Sequence, residues 1–413
     1  MSQPQEFVDV AIVGGGMAGV SLALMLQQSC PQLSVALLEQ HALPGAAASI
    51  RLPSFDARAT ALAAGSLQLF DELGVWSQLR EYAAPIGRVQ VSDRGHSVGV
   101  SLRSRSEPRA SYDGMLGAVV ENAALGPVLH AALAETDVRL LAPARVTDLQ
   151  MSADGPQLQW CAGENEAGQS LRAGLLVVAD GVDSPLCRSL GIETERVAYN
   201  QRALVTTLGL QRDHGGVAYE RFTPDGPMAL LPLPRRQGRH RMALVWTCPE
   251  ERAPEIESLA SGEFVRRLQQ AFGWRAGRIE CAGEVSSYPL SLSLAREQWR
   301  RDLVLVGNCA HFLHPVAGQG FNLTLRDCHG LAQVLARGGL AQNSSERLDL
   351  LQEYARSRQL DQQLTIGFSD RVPALFAAPG LLAQGVRQFG LLGLALAPPL
   401  RSEFAGQAAG FGL

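Results

Sequence analysis

Val8-Asp9-Val10-Ala11-Ile12-Val13-Gly14-Gly15-Gly16-Met17-Ala18-Gly19 is a short apolar run that breaks into glycines and reopens as an amphipathic segment. The pattern predicts strand, tight turn and helix, with the spacing Gly14-x-Gly16-x-x-Gly19. Each glycine has its own reason. The first permits the turn, the second lets a pyrophosphate approach the backbone, and the third lets the helix pack close to the strand. Met17 and Ala18 open the helix, whose free N–H groups and partial positive charge suit phosphate. Glycine-rich turns are common, so context decides. A helix is expected over about 17–29 and a second strand over 34–39. That strand ends at Glu39, 20 residues past Gly19, where a carboxylate accepts the ribose hydroxyls of an adenosine. The stretch predicts dinucleotide binding and leaves NAD and FAD both open.

Moving outward, 413 residues suffice for two or three lobes with a large core. The composition is globular, 46% hydrophobic and 18% charged, and the net charge of −4 gives no basic surface for nucleic acid. All 36 basic residues are arginine. P-loop, Schiff-base and kinase-type lysine chemistry are therefore excluded. The seven cysteines are scattered and form no C-x-x-C, which argues for a reducing compartment and against a zinc site. The N-terminus enters the first strand directly, so no signal peptide is expected. No apolar run reaches roughly 18 residues, so no spanning helix is expected either. The expected location is the cytoplasm.

Residues 42–60 are small and punctuated by glycine and proline, and read as a loop. A helix is expected over about 60–73, then short strands near 88–92 and 97–102, and a helix over 125–135. Leu175-Leu-Val-Val-Ala179 is apolar throughout and reads as a buried parallel strand. From about 196 to 290 alternating strands dominate, at 202–210, 216–222, 227–233, 241–247 and 284–290, with one helix near 262–272. That is an antiparallel layer. Asp302-Leu-Val-Leu-Val-Gly307 returns to the buried type. The chain is therefore expected to leave the nucleotide domain, build a second one and return. The last quarter is helical, and Val372–Leu400 is apolar apart from Gln384, Arg387 and Gln388.

Two further motifs carry chemistry. Val178-Ala-Asp180-Gly181-Val-Asp183-Ser184-Pro185 follows a buried strand, where open α/β sheets place ligands; Ser184 and Pro185 also suit an ordinary capped turn. Gly307-Asn308-Cys-Ala-His311-Phe-Leu-His314-Pro315-Val-Ala-Gly318-Gln319-Gly320-Phe-Asn322 follows another buried strand and opens a helix expected over 321–336. Its glycines let backbone approach a flat ligand. His311 and His314, without a partner carboxylate or cysteine cluster, are a poor ligand set, and no metal is expected.

In this order and spacing, the three motifs resemble those of the class A flavoprotein monooxygenases, the para-hydroxybenzoate-hydroxylase-like family. Val91-Ser-Asp-Arg-Gly-His96, Tyr219-Glu-Arg-Phe-Thr223 and Phe272-Gly-Trp274 narrow the likeness to the ubiquinone-biosynthesis hydroxylases, nearest those of 2-polyprenyl-6-methoxyphenol. It fades after about residue 365. The resemblance implies a Rossmann-like FAD-binding domain (1–78, 103–187 and 283–345) interleaved with an antiparallel-sheet substrate domain (79–102 and 188–282), and a C-terminal helical region (346–413).

It implies FAD as cofactor, held by Gly14, Gly16, Met17, Ala18, Gly19, Glu39, Arg58, Val146, Asp180, Asn308, Gly318, Gly320 and Asn322, with NAD(P)H and O2 as co-substrates. Asn308 replaces the family's usual aspartate and still accepts a hydrogen bond. Ala123, in Val120-Glu-Asn-Ala123, replaces the usual flavin-contacting arginine, and Arg58 takes over part of that role. The implied reaction is ring hydroxylation of a polyprenyl phenol through a flavin C4a-hydroperoxide. Arg58, His314 as base and the Pro315 carbonyl are its catalytic candidates. Phe222, Trp246 and Tyr288 are candidates for the pocket wall, with ordinary core packing the alternative for each. A reductase of an isoprenoid lipid is the alternative. The apolar C-terminal stretch suits either core and subunit packing or contact with a membrane or a lipid-delivering protein, and a homo-oligomer stays open.

Overall fold

The computed structural model describes residues 6–43, 58–95, 99–104, 111–163, 168–314, 318–340 and 344–377, with backbone alone at 344 and 372–377. Glu6–Val13 pairs in parallel with Val35–Leu38 on one side and Gln169–Val178 on the other. Gln169–Val178 pairs in parallel with Leu303–Leu305, and Val35–Leu38 with Arg139–Leu141. The central strands are buried on both faces, which is why they read as unbroken apolar runs. Helices Met17–Ser29, Asn122–Ala134 and Gln319–Gly338 cover one face, with Ile12, Leu26, Leu125 and Leu331 in their shared core. The other face packs on Leu158, Trp160 and Leu186, the first two from the antiparallel strand Gly155–Cys161.

The chain then leaves through the short helix Pro185–Ser189 into Thr194–Leu210. With Val217–Thr223, Gly226–Arg236 and Arg239–Pro249 this strand builds a nine-stranded sheet. Arg88–Asp93 and Gly99–Arg103 complete one edge, and Ser286–Ala295 with the short strand His311–Phe312 beyond it completes the other. Every neighbour along this path is antiparallel except Arg88–Asp93 with Val217–Thr223. Successive side chains alternate between faces. One face sets Leu204, Leu230, Leu244 and Trp246 against Phe264, Leu268 and Phe272 of helix Ser261–Phe272. Ser286–Ala295 pairs with Thr194–Leu210, so a boundary at 283 separates a strand from its own sheet.

The helix expected over 60–73 begins only at Ala64. Ala59–Ala63 is a strand, paired with Gly117–Glu121 in a third sheet that Ala83–Ile86 completes. Tertiary hydrogen bonding overrides the helical composition here: Ala63 N–H donates to Asn322 Oδ1, and Ala61 C=O accepts from Asn322 Nδ2. Helix Ser344–Ala377 lies in the last quarter, which reads as helical. Most of the apolar stretch Val372–Leu400 lies outside the described residues. Among the described residues no helix is long and apolar enough to cross a membrane.

Candidate active site

The three sequence motifs converge on one cavity of about 1780 Å³. At one end lie Gly14, Gly16, Met17 and Ala18. A Cβ on Gly14 would sit 2.4 Å from the Ala179 carbonyl oxygen, and one on Gly19 would sit 1.9 Å from that of Gly14. No side chain is tolerated at either point. Gly19 does not line the cavity; it brings helix Met17–Ser29 against the strand so that the helix N-terminus faces the cavity. Gly16 caps that helix without a side-chain hydrogen bond, which leaves its first N–H groups for a ligand.

Glu39 is buried beside them. Its Oε2 accepts from Gly15 N–H at 2.8 Å, and its Oε1 accepts from His41 N–H at 2.9 Å. His130, for which the sequence held no signal, sets Nε2 3.0 Å from the Gly15 carbonyl and braces the turn from helix Asn122–Ala134. Val146 lines the cavity just beyond Glu39.

Midway along stand Asp180 and Asn308. Ser184 Oγ donates to Asp180 Oδ2 at 2.8 Å and accepts from Cys187 N–H at 3.0 Å, so one serine both caps the helix and orients the carboxyl. Asp180 Oδ1 is buried and has no hydrogen-bond partner among the described residues. Burial pushes this carboxyl up to about 6, against the Ser184 hydrogen bond, which pulls it down. Asn308 is exposed toward the cavity, and its amide bonds to no described residue.

The third motif forms the far rim. Gly318, in the left-handed region at φ 61°, caps helix Gln319–Gly338, again without a side-chain hydrogen bond. Gly320 lines the cavity beside it. Asn322 also lines it, but both ends of its amide are committed to the protein. Oδ1 accepts from Ala63 N–H and Ser66 Oγ, and Nδ2 donates to Ala61 and Gly318 carbonyls. Asn322 thus pins the strand after Arg58 onto the helix start. His311 is turned away from the cavity, with Nε2 2.7 Å from Asp327 Oδ2; Asp327 Oδ1 accepts from Arg358 Nε at 2.7 Å. Among the described residues no group of His, Cys, Asp or Glu could hold a metal. Pro315 lies outside the described residues.

His314 lines the cavity, and its ring meets Tyr199 edge-on at 5.2 Å. Burial lowers its pKa to about 4, against the opposing pull of Asp370. With a phenol near 10, transferring a proton to this imidazole costs about 8 kcal/mol, which works against the base role expected of it. Arg58 sits 5.1 Å above the Tyr288 ring, and both line the cavity.

The remaining wall is the second face of the nine-stranded sheet, with Val91, Ala218, Phe222, Ala229 and Val245. Trp246, expected on this wall, is not there. It is one residue out of phase, on the opposite face, with its ring 6.0 Å from Phe264.

Ligand pockets usually run to about 300–1,000 Å³, so this cavity has room for a dinucleotide and a second molecule. Two open helix N-termini, the unsatisfied Asp180 oxygen, the exposed Asn308 amide and glycine surfaces that a Cβ would block all fit FAD. The fold and site thus define a dinucleotide-binding α/β protein with an apolar second pocket under an antiparallel sheet.

A profile of the FAD binding domain matches residues 7–366. The chain is 34% identical over 409 residues to the ubiquinone hydroxylase UbiL of Rhodospirillum rubrum, covering 98% of this chain and 90% of that protein. It is 30% identical over 386 residues to 3-demethoxyubiquinol 3-hydroxylase of Escherichia coli, covering 91% and 92%. Among solved structures, p-nitrophenol 4-monooxygenase PnpA of Pseudomonas putida shares the fold, with a TM-score of 0.75 at 17% identity over 99% of this chain and 100% of that one. The chain belongs to the FAD-dependent monooxygenases, in the branch that holds the ubiquinone-biosynthesis hydroxylases. Its cofactor is FAD, and NAD(P)H and O2 are the usual co-substrates of this family.

Proposed function

We propose that the protein hydroxylates the ring of 2-polyprenyl-6-methoxyphenol to the 1,4-benzoquinol in ubiquinone biosynthesis. The observation that carries this reading is the continuity of the cavity, from the glycine turn and Glu39 to a wall of valine, alanine and phenylalanine. When bound, FAD supplies electron transfer from NAD(P)H and activation of O2, which no amino-acid side chain provides.

The protein's own residues do the rest. Gly14, Gly16, Glu39, Asp180 and Asn308 hold the cofactor, with Met17, Ala18 and Val146 against it. The uncapped helix at Gly318–Gly320 favours negative charge on the flavin ring. Arg58, fixed over Tyr288, guards the junction between flavin and substrate. The apolar sheet face excludes water and receives the phenol and the start of its tail, with Phe222 and Tyr288 in the wall. A substrate with so apolar a tail resides in lipid, so we place the protein at the cytoplasmic face of the membrane, where the lipid or a protein that carries it delivers the phenol.

Purified protein given NAD(P)H, O2 and a short-chain 2-prenyl-6-methoxyphenol should be yellow and should yield the hydroxylated quinol, with the new oxygen located by NMR. Colourless protein that takes up no FAD, or reduction of isoprenoid double bonds without oxygen, would sink the reading. A second reading, hydroxylation of a demethoxyubiquinol at another ring carbon, draws on the relative from Escherichia coli. The same product analysis with that substrate separates the two.

A further inference from the structure

Among the described residues Glu220 is the one carboxyl side chain that the nine-stranded sheet presents to the cavity; Arg196, which also lines it, pairs with Asp183. Its register neighbours are Val91 on one strand and Ala229 on the other, and Ala218 and Phe222 share its face along its own strand. Val245 continues the same row beyond Ala229. Glu220 makes no hydrogen bond or ion pair with any described residue. Nearby arginines are engaged elsewhere. Arg221 points to the opposite face, toward Ser92; Arg241 pairs with Glu121; Arg58 lies over Tyr288. Glu220 keeps intermediate exposure, and that exposure is to the cavity it lines. A carboxyl on an apolar wall is costly unless something arrives to bond it.

We propose that Glu220 recognises the ring hydroxyl of the phenol and accepts its proton, so that the ring reacts as the electron-rich phenoxide. The assignment rests on reading the protein as a phenol hydroxylase. The O–H bond of the phenol breaks and its hydrogen passes to the Glu220 carboxylate. The oxygen atom and the two electrons that reduce its partner oxygen come from O2 and NAD(P)H, as in the family's reaction. When the hydroxylated carbon sheds its own hydrogen as a proton and the ring becomes aromatic again, Glu220 returns a proton to the original oxygen. Two further facts support the role. Burial pushes the Glu220 carboxyl up to about 7, much nearer a phenol than an ordinary glutamate. His314, which also lines the cavity, is moved the opposite way.

The test is Glu220→Gln in the holoprotein. The variant should retain FAD and oxidise NAD(P)H, while kcat for hydroxylation falls about 100-fold or more with KM little changed. A ring-fluorinated phenol, which ionises without help, should recover most of the loss. Independently of turnover, the ultraviolet difference spectrum of a bound short-chain phenol should show phenoxide in the wild-type protein and neutral phenol in the variant. Hydroxylation within about threefold of wild type, or the same ionisation state in both proteins, overturns the assignment. If the wild-type protein hydroxylates nothing while the two spectra still differ, the proposed reaction falls and the proton-accepting role of Glu220 stands.

Discussion

Asp180 offers a quantitative test of how the cofactor site is built. With one oxygen held by Ser184 and the other buried without a partner, its pKa rises from 3.8 to about 6. That rise is worth about 3 kcal/mol. Because the folded apoprotein holds this proton more tightly than the unfolded chain, the contribution is full below pH 3.8 and is lost as pH rises to 6. Asp180→Asn keeps the shape and removes the titration. The stability of apoprotein, measured by urea unfolding between pH 4 and 7, should fall with pH in the wild type. It should fall by up to about 3 kcal/mol less in the variant. FAD binding should reverse the effect, because a hydrogen-bond donor brought to Oδ1 would stabilise the carboxylate. Titration calorimetry at pH 6 in two buffers of different ionisation enthalpy should register release of about half a proton, absent in the variant. Its FAD affinity should drop at least about tenfold, the worth of one charge-assisted hydrogen bond. Equal pH slopes in the two apoproteins, or proton uptake on binding, would refute the reasoning.

Asn322→Ala removes four hydrogen bonds, two of them buried, and should cost about 3 kcal/mol, read as a lower Tm of the apoprotein and loss of FAD on gel filtration. Trp246→Ala should destabilise the protein by about 3–5 kcal/mol and leave KM for the phenol unchanged. Val245→Phe, one residue away on the cavity face, should raise KM with little effect on Tm. Asp327 is raised by burial, but hydrogen bonds and charge from His311 and Arg358 outweigh this and hold it below 3.8. Its contribution is present above pH 3.8 and lost as pH falls through the depressed value, so Asp327→Asn should flatten the acid limb of unfolding. At neutral pH the variant should cost about 1–3 kcal/mol, since Arg358 and His311 lose a charged acceptor while Asp361 still pairs with Arg358.

Local signals account for what could be read from sequence. The Gly14–Gly19 turn, the acidic residue after the second strand and the unbroken apolar runs each reflect a short-range constraint. The helix Met17–Ser29 falls where its pattern predicts. Long-range pairing explains the misreading at Thr60–Ala63: nothing within that segment announces Gly117–Glu121 as a partner or Asn322 as a clamp 261 residues away from Ala61. Trp246 was assigned by residue type, whereas strand phase decides its face. Phase would also have found Glu220. In a strand read at 216–222 it shares its parity with Ala218 and Phe222, so a charge on that side stood out against an apolar stripe. His130 carried no comparable signal, because its partner is a backbone carbonyl of another element.

The two faces of the nine-stranded sheet answer to different masters. Residues of one parity, such as Leu244 and Trp246, hold the domain together against helix Ser261–Phe272. Their immediate neighbours, such as Ala243 and Val245, line the cavity, Ala243 while also packing with Ile86, Val119 and Ala218. A mutation at a position such as Val245 alters the shape offered to a substrate and leaves the contacts with helix Ser261–Phe272 intact. One scaffold can thus drift from one ring position, or one tail, to another through single exchanges, each tolerated on its own. Proteins that share this architecture can divide successive oxidations of one ring among themselves without inventing a new fold for each.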